Sequence, residues 1–317
     1  MNTLHFKYAV EVEKTGSISQ AAENLFMAQP NLSKSIKELE DTLGIAVFER
    51  TSKGVIPTIQ GKEFLGYAKR ILLQLEKMES IYISQEEREK QQALKISIPR
   101  GSYISAGFAN FVSELNMKKG IDITIKETNS LQTISNISEN GYNLGIIRYQ
   151  TLYENYFLDF LREKEIESET VWEYSCLVLM SRNHHMANCD EIDYETLKST
   201  SIEIVHGDNI VPYLPSPEIK QSEILDDKFI AQKIYLYERG SQMELLTNVH
   251  QTFMWVSPIP QKILNEYHLV QRRCKISNNS FKDVLIYARG YKFSAIDRLF
   301  LNKLYEMKNE VAFSEYN

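Results

Sequence analysis

The chain has 317 residues, 43% of them hydrophobic and 25% charged, with a formal net charge of −6. That length supports two domains or three small ones, and that balance excludes a disordered chain. Residues 1–90 carry 12 Lys and Arg against 13 Asp and Glu. With no basic tail, mainly non-specific nucleic-acid binding is disfavoured, and any DNA-binding surface must gather its positive charge on one face.

Lys7, Glu11, Glu13 and Lys14 interrupt the start before any apolar run forms, so no secretory signal is expected. No stretch approaches the roughly 20 apolar residues of a membrane span. Cys176, Cys189 and Cys274 are far apart, without a Cys-x-x-Cys. That pattern fits reduced cysteines in a cytoplasmic protein.

The first predicted elements after the N-terminus lie in residues 17–40. Ile18, Ala21, Ala22 and Leu25 recur at helical spacing, as do Leu32, Ile36 and Leu39. Two short amphipathic helices joined by a tight turn form a helix-turn-helix, whose second helix enters the major groove by its N-terminal end. Its exposed set is Gln29, Asn31, Ser33, Lys34 and Lys37, side chains that can meet base edges or phosphates. Spacing alone also admits a helical hairpin buried in a core. Leu43-Gly44 reads as a helix stop. Ile45–Arg50, the turn Thr51-Ser52-Lys53-Gly54 and the strand Val55–Thr58 then make a β-hairpin wing that carries Arg50 and Lys53.

The first ninety or so residues resemble the N-terminal domain of the LysR-type transcriptional regulators. The resemblance is carried by Gly16-Ser17, Ala21-Ala22, Leu25, Gln29-Pro30, Leu32-Ser33, Ile36, Leu39-Glu40, Leu43-Gly44, Phe48-Glu49-Arg50, Gly54, Thr58 and Gly61. It implies a DNA-binding set of Gln29, Pro30, Asn31, Ser33, Lys34, Lys37, Arg50, Lys53 and Thr58. Two departures stand out. Ala28 occupies the place of a capping Ser, a change that costs about 1 kcal/mol at an N-cap. Pro57 stands where Leu is common and removes a ladder donor, so the wing strand should be short or at an edge.

From Thr58 to Lys90 there is no proline, and Phe64, Ala68, Ile71, Leu75, Met78 and Tyr82 step by four and three. That is the 3.5-residue period of a helix–helix seam. A long helix packed on its own chain is the alternative. The resemblance favours pairing of two chains through this helix, with Glu86–Gln92 as a solvated hinge.

The C-terminal part alternates strands and helices. Strands are expected at Leu94–Pro99, Ile121–Glu127 and Leu144–Ile147, with helices at Tyr103–Met117 and Leu131–Glu139 between them. A second set of strands comprises Cys176–Met180, Ile202–Val205, Ile230–Leu236 and Phe253–Val256. Leu269–Arg273, Val284–Ala288 and a helix at Ala295–Met307 return to the first lobe. This resembles the periplasmic-binding-protein-like effector domain of the LysR type, through Leu94-Lys95-Ile96, Glu127 with Ser130, Asn140-Gly141, Leu144-Gly145-Ile146, Ser181, His184, Ala187 and Pro258. It departs at His250–Phe253, where a glycine-rich turn is usual, and at Lys119-Gly120, where a proline is.

The expected fold class is therefore mixed α+β and α/β in two domains. Residues 1–58 form a winged helix-turn-helix, 59–92 a linker and dimerisation helix with its hinge, and 93–317 a two-lobed α/β effector domain. Lobe I is expected at about 93–165 and 268–317, and lobe II at about 166–267. A ligand would lie between the lobes, outside the carboxyl ends of strands. Candidate contacts are Arg100, Gly101, Ser102 and Tyr103, then Thr128, Asn129 and Ser130, then Arg148, then His206. If Arg100 and Arg148 both point into the crevice, the effector is an anion; the alternative is that each arginine is solvated or pairs with a local acid.

No catalytic constellation, phosphate loop or dinucleotide fingerprint is present, so neither an enzyme nor a cofactor is expected. His184-His185 lies near Cys189 but lacks ligand spacing, so no metal site is expected. The combined expectation is a ligand-responsive, DNA-binding regulator acting as a dimer or homotetramer. Its expected partners are double-stranded promoter DNA bearing an inverted repeat, a small-molecule effector, RNA polymerase and a second copy of itself, with no membrane. A solute-binding protein or a redox-responsive regulator using Cys189 are the alternatives.

Overall fold

The computed structural model describes residues 2–51, 54–82, 91–207, 232–275 and 280–314. The chain divides into two compact units, one of residues 1–90 with 138–141 and the other of 91–137 with 142–317.

The first unit opens with α1 (Thr3–Thr15), capped by Asn2 and closed by Gly16. Ser17 caps α2 (Ile18–Asn24) through a hydrogen bond from the Gln20 amide. The turn that follows holds Phe26 at φ 53°. Helix α3 (Gln29–Leu43) starts at Ala28, which offers no side-chain cap, and ends at Gly44 in the left-handed region. Leu32, Ile36 and Leu39 bury one face of α3 against Ala21 and Ala22, which are 0% and 1% exposed. Side chains that small let the helices cross closely. The wing is β1 (Phe48–Thr51) paired antiparallel with β2 (Gly54–Pro57). Pro57 falls on the last residue of a four-residue strand, where a missing donor costs the ladder least. Helix α4 (Ile59–Tyr82) follows. The expected hinge residues Glu86–Lys90 lie outside the described residues. Gln91 and Gln92 are not hinge: they open β3 (Gln91–Ile98) and pair with Gly120 and Ile121.

The second unit contains two sheets. In lobe I, β3 lies between β4 (Gly120–Glu127) and β5 (Leu144–Gln150), parallel to both. Strand β13 (Ser280–Ala288) is antiparallel to β5 on one side and to β6 (Ile166–Ser175) on the other. One face of this sheet packs on α5 (Ser102–Ser113) and the last helix through Leu94, Ile96, Ile98, Phe111, Phe300 and Leu304. The other packs on α6 (Ser130–Glu139) and α7 (Glu154–Glu163) through Ile134, Ile137, Ile147, Phe157 and Leu161. Helix α5 stops short of Met117, its final turn tightened by bonds from Glu114 and Leu115 to Phe111 and Val112.

Lobe II is a mixed sheet in the order β10-β9-β11-β7-β12-β8. Its strands are β7 (Leu177–Ser181), β8 (Glu191–Asp193), β9 (Ile202–His206), β10 (Lys233–Leu236), β11 (Thr252–Val256) and β12 (Leu269–Lys275). Among the described residues, α8 (Tyr194–Thr200), α9 (Gln242–Asn248) and α10 (Gln261–Glu266) join them. The final α11 (Ala295–Ser314) belongs to lobe I. Both lobe boundaries expected from sequence move by one strand. β6 stays in lobe I because it forms nine residue pairs with β13, and β12 stays in lobe II because it pairs with β7 and β8. The lobes therefore exchange at Cys176 and between Lys275 and Ser280. The reading of a strand from Ile230 is shortened to Lys233, residues 230–231 lying outside the described set.

Candidate functional site

The first candidate surface is the polar side of α3. With Leu32, Ile36 and Leu39 turned inward, Gln29, Pro30, Asn31, Lys34 and Lys37 are exposed and Ser33 is half-buried. Ser33, Lys34 and Lys37 line a shallow groove with Arg50 and Val55 of the wing. Lys34 approaches Glu38 at 3.8 Å, but both are solvated, and such a pair holds a lysine only weakly. Lys53 lies outside the described residues. Thr58 is engaged in structure: its hydroxyl donates to the Ala46 carbonyl at 2.7 Å and accepts the Gly61 amide at 2.9 Å, capping α4. Glu40 plays a part that spacing did not reveal. Its carboxylate accepts the amides of Val47 and Phe48 at 2.8 and 3.0 Å, which fixes the wing against the recognition helix.

The expected dimer seam on α4 divides. Ala68 is 1% exposed, and Phe64 packs edge-on against Phe6 at 5.8 Å. These two positions are used by the chain's own core, because α4 must also roof α1. Ile71 and Met78 are exposed and Leu75 is half-buried. The side chain of Tyr82 lies outside the described residues.

The second candidate surface is a cavity of about 380 Å³ between the lobes of the second unit. Arg100, Ser102, Thr128, Asn129, Ser130, Arg148 and His206 all line it, as expected. Gly101 and Tyr103 do not. Gly101 is the buried residue before α5, and Tyr103 is 0% exposed with its hydroxyl donated to Asp283 at 2.5 Å. Ser130 holds the start of α6 to β5, donating to the Arg148 carbonyl and accepting its amide. Asn129 accepts the Gln132 amide. His206 Nε2 lies 3.2 Å from the Gln242 side-chain oxygen.

Arg100 and Arg148 both line the cavity, and Arg148 is also paired with an acid of its own sheet. Arg148 binds Asp283 at two points, Nε to Oδ1 and Nη2 to Oδ2, both at 2.7 Å, and donates to the Arg100 carbonyl. Burial is the largest influence and opposes the Arg148 charge, but the Asp283 carboxylate together with Tyr174 and Tyr103 outweighs it and raises the pKa well above its ordinary value. Burial, reinforced by Asp283, likewise keeps Tyr103 neutral. Arg100 donates to the Tyr237 carbonyl at 2.9 Å. Sequence reasoning missed Asp283 and Arg239. The signal for the first was a lone acid inside the apolar strand Phe281–Ala288; Arg239 lies in a loop and left none.

Cys176 is buried, its thiol pushed up to about 12 by burial, while Cys189 is exposed and Cys274 half-buried. None forms a disulfide. His184 and His185 stack at 4.4 Å and hydrogen-bond Ser201 and Thr200. Among the described residues no group of His, Cys, Asp or Glu is placed to hold a metal ion. Among them, too, no helix is long and apolar enough to cross a membrane.

Residues 4–62 match the family model described as bacterial regulatory helix-turn-helix protein, lysR family. Over 203 residues the chain is 24% identical to the HTH-type transcriptional regulator AlsR of Bacillus subtilis, an alignment covering 64% of this chain and 63% of AlsR. The chain thus spans a little under two thirds of that relative's length. A variant of full-length OxyR from Pseudomonas aeruginosa shares the fold with a TM-score of 0.65 at 15% identity, over 96% of this chain and 94% of that one. Full-length CbnR complexed with its target DNA shares it with a TM-score of 0.56 at 16% identity, over 97% and 100%. Residues 4–62 thus carry the helix-turn-helix of the lysR family, and the chain as a whole is similar in fold to these full-length structures.

Proposed function

We propose that the protein is a ligand-responsive transcription factor that binds an inverted-repeat promoter site as a dimer or tetramer. One observation carries this reading. The side of α3 opposite its buried stripe presents Gln29, Asn31, Lys34 and Lys37 to solvent, beside Arg50 of the wing. Gln29, Asn31 and Ser33 read bases, and Lys34, Lys37, Arg50 and Lys53 neutralise phosphates, with Pro30 setting the entry of the helix. Two such helices related by a two-fold axis match the two halves of a palindrome. Ile71, Leu75 and Met78 of α4 supply the contact between subunits. Val112, Met117, Ile121 and Ile125, all exposed in the second unit, supply a further contact for a tetramer.

The inter-lobe cavity is the effector site, and a ligand shifts the regulator only by as much as its affinity differs between two arrangements of the lobes. RNA polymerase is the partner through which bound protein changes transcription, in the cytoplasm and without catalytic chemistry of its own. Fluorescence-anisotropy titration on DNA from upstream of its own gene, beside unrelated DNA, tests the reading. Selective binding that a Gln29→Ala/Lys34→Ala variant loses supports it. Four phosphate contacts per subunit give a log–log salt slope of about −7 for a dimer. Equal, salt-insensitive binding to both DNAs refutes it.

A further inference from the structure

We infer that the inter-lobe cleft takes an uncharged aromatic small molecule, a planar ring bearing a hydrogen-bonding head, and discriminates against carboxylates. This deepens the effector-site reading and rests on it.

The first support is the charge balance of the walls. Arg148 is bound at two points by Asp283. Arg239 donates to Glu127 at 2.6 Å, and its other contacts are the Ser105 and Ser102 hydroxyls at 3.1 and 3.3 Å. Glu203, the acid in the cavity wall, faces Lys233 at 3.7 Å. Arg100 is half-buried and donates to the Tyr237 carbonyl. A carboxylate entering the cleft would shed its water and meet two guanidinium groups already held by carboxylates, with Arg100, bonded to a backbone carbonyl, as the remaining one in the wall. Its desolvation would be poorly offset. An uncharged ligand carries no such cost.

The second support is the ring-lined interior. Tyr149 and Phe157 stack face to face at 4.7 Å with 11° between their planes. Tyr153 and Phe281 also line the cavity from lobe I, and Trp255 lines it from lobe II, its ring braced by Tyr194 at 6.0 Å. Aromatic faces and edges of this kind pack best on another planar ring. Beside the charged groups already described, Ser102, Thr128, Gln242 and Ser257 bring neutral hydrogen-bonding side chains to the same wall. They suit an amide or hydroxyl head, and about 380 Å³ falls in the range of small-ligand sites.

The experiment is calorimetric titration of the full chain with benzamide, benzoate and cyclohexanecarboxamide. Benzamide is expected to bind roughly tenfold or more tightly than either of the others. Benzoate binding as tightly as benzamide overturns the proposal, and so does absence of benzamide binding at millimolar concentration. Trp255→Ala is expected to weaken benzamide at least about tenfold; unchanged affinity places the probe elsewhere and overturns the assignment. Glu127→Gln leaves Arg239 without its carboxylate at a half-exposed position, so benzoate is expected to gain affinity while benzamide does not. Loss of the fold would show in the thermal midpoint of that variant, and the wild-type ranking then decides. The promoter titration on the same preparation separates the two readings. Selective DNA binding with a benzoate preference overturns the ligand class alone; benzamide binding without selective DNA binding overturns the regulator alone.

Discussion

Arg148 on β5 and Asp283 on β13 are direct cross-strand partners, and their side chains close a two-point ion pair with both bonds at 2.7 Å. Asp283 is 0% exposed and also receives the hydroxyls of Tyr103 and Tyr174. Removing one member of such a buried pair strands the other, at about 3–5 kcal/mol. Asp283→Asn is therefore expected to lower the unfolding free energy of the second unit, measured in urea, by that order. The double replacement Arg148→Met/Asp283→Asn should recover part of the loss, since no charge is left behind and the Asn oxygen still accepts a tyrosine hydroxyl. A change below about 1 kcal/mol for the single variant would show that the pair contributes little net stability.

Gly61 sits where the start of α4 passes the wing. A Cβ there would lie 1.9 Å from the Val47 carbonyl oxygen, and that oxygen already accepts the Thr58 amide at 3.0 Å. Backbone cannot yield as a flexible side chain could. Gly61→Ala is expected to cost more than about 3 kcal/mol, in the range of severe overpacking. Circular dichroism and anisotropy together check it: DNA binding should vanish while the thermal transition of residues 91–317 stays. Retained wild-type DNA affinity would refute the close approach.

The helix-turn-helix was legible because its buried stripe is short and regular, and because Ser17 and Gly44 punctuate it. The lobe boundary was not. β6 carries Glu167, Glu169 and Glu173 on exposed or half-buried positions, so it lacks the apolar run that marked the other strands, and only its pairing with β13 identifies it. The α4 seam was half legible, since a period of 3.5 reports one continuous apolar face without saying which neighbour covers each turn. Phe64 and Ala68 face the chain's own core, Phe64 against Phe6 of α1. In the cleft, sequence located the strand ends correctly but could not pair Arg148 with an acid 135 positions away.

His184 is 3% exposed in the turn after β7. Its Nδ1 accepts the Met186 amide at 3.1 Å, so Nε2 carries the proton toward Ser201. Burial first, and the neighbouring His185 second, lower its pKa from 6.5 to about 4. The unfolded chain therefore binds the proton first. The contribution of neutral His184 is fully present above pH 6.5 and is lost as the pH falls toward 4, on the order of 3 kcal/mol at most. His184→Gln should flatten that part of a stability-versus-pH curve. An unchanged slope between pH 6.5 and 4 would remove His184 as its source.

Phe26 occupies the turn before the recognition helix at φ 53° and is 98% exposed. Its ring buries almost nothing to offset a left-handed backbone that costs an L residue about 1–2 kcal/mol. Glycine relieves that strain but loses more chain entropy on folding, for a net gain of roughly 0.5 kcal/mol. Phe26→Gly should thus raise the thermal midpoint of the first unit slightly; a clear fall would mean that the ring is held by a contact in the folded assembly.

Ala28 has the extended conformation of an N-cap, φ −70° and ψ 134°, but no side-chain acceptor. The gain available to a serine there is limited by its neighbours. Pro30 brings no amide hydrogen, and the Asn31 amide already reaches the Ala28 carbonyl at 3.0 Å. A hydroxyl would share that donor, so Ala28→Ser is expected to stabilise by roughly 0.5–1 kcal/mol, the lower part of the range for caps. The added oxygen also lies at the N-terminal end of α3, the end proposed to enter the groove. It can therefore accept a hydrogen bond from the Asn31 amide only where DNA does not claim the same space. Thermal unfolding with and without the promoter duplex distinguishes these effects. A midpoint raised in free protein but not in the complex shows a cap displaced by DNA, whereas no rise in the free protein refutes the N-cap geometry.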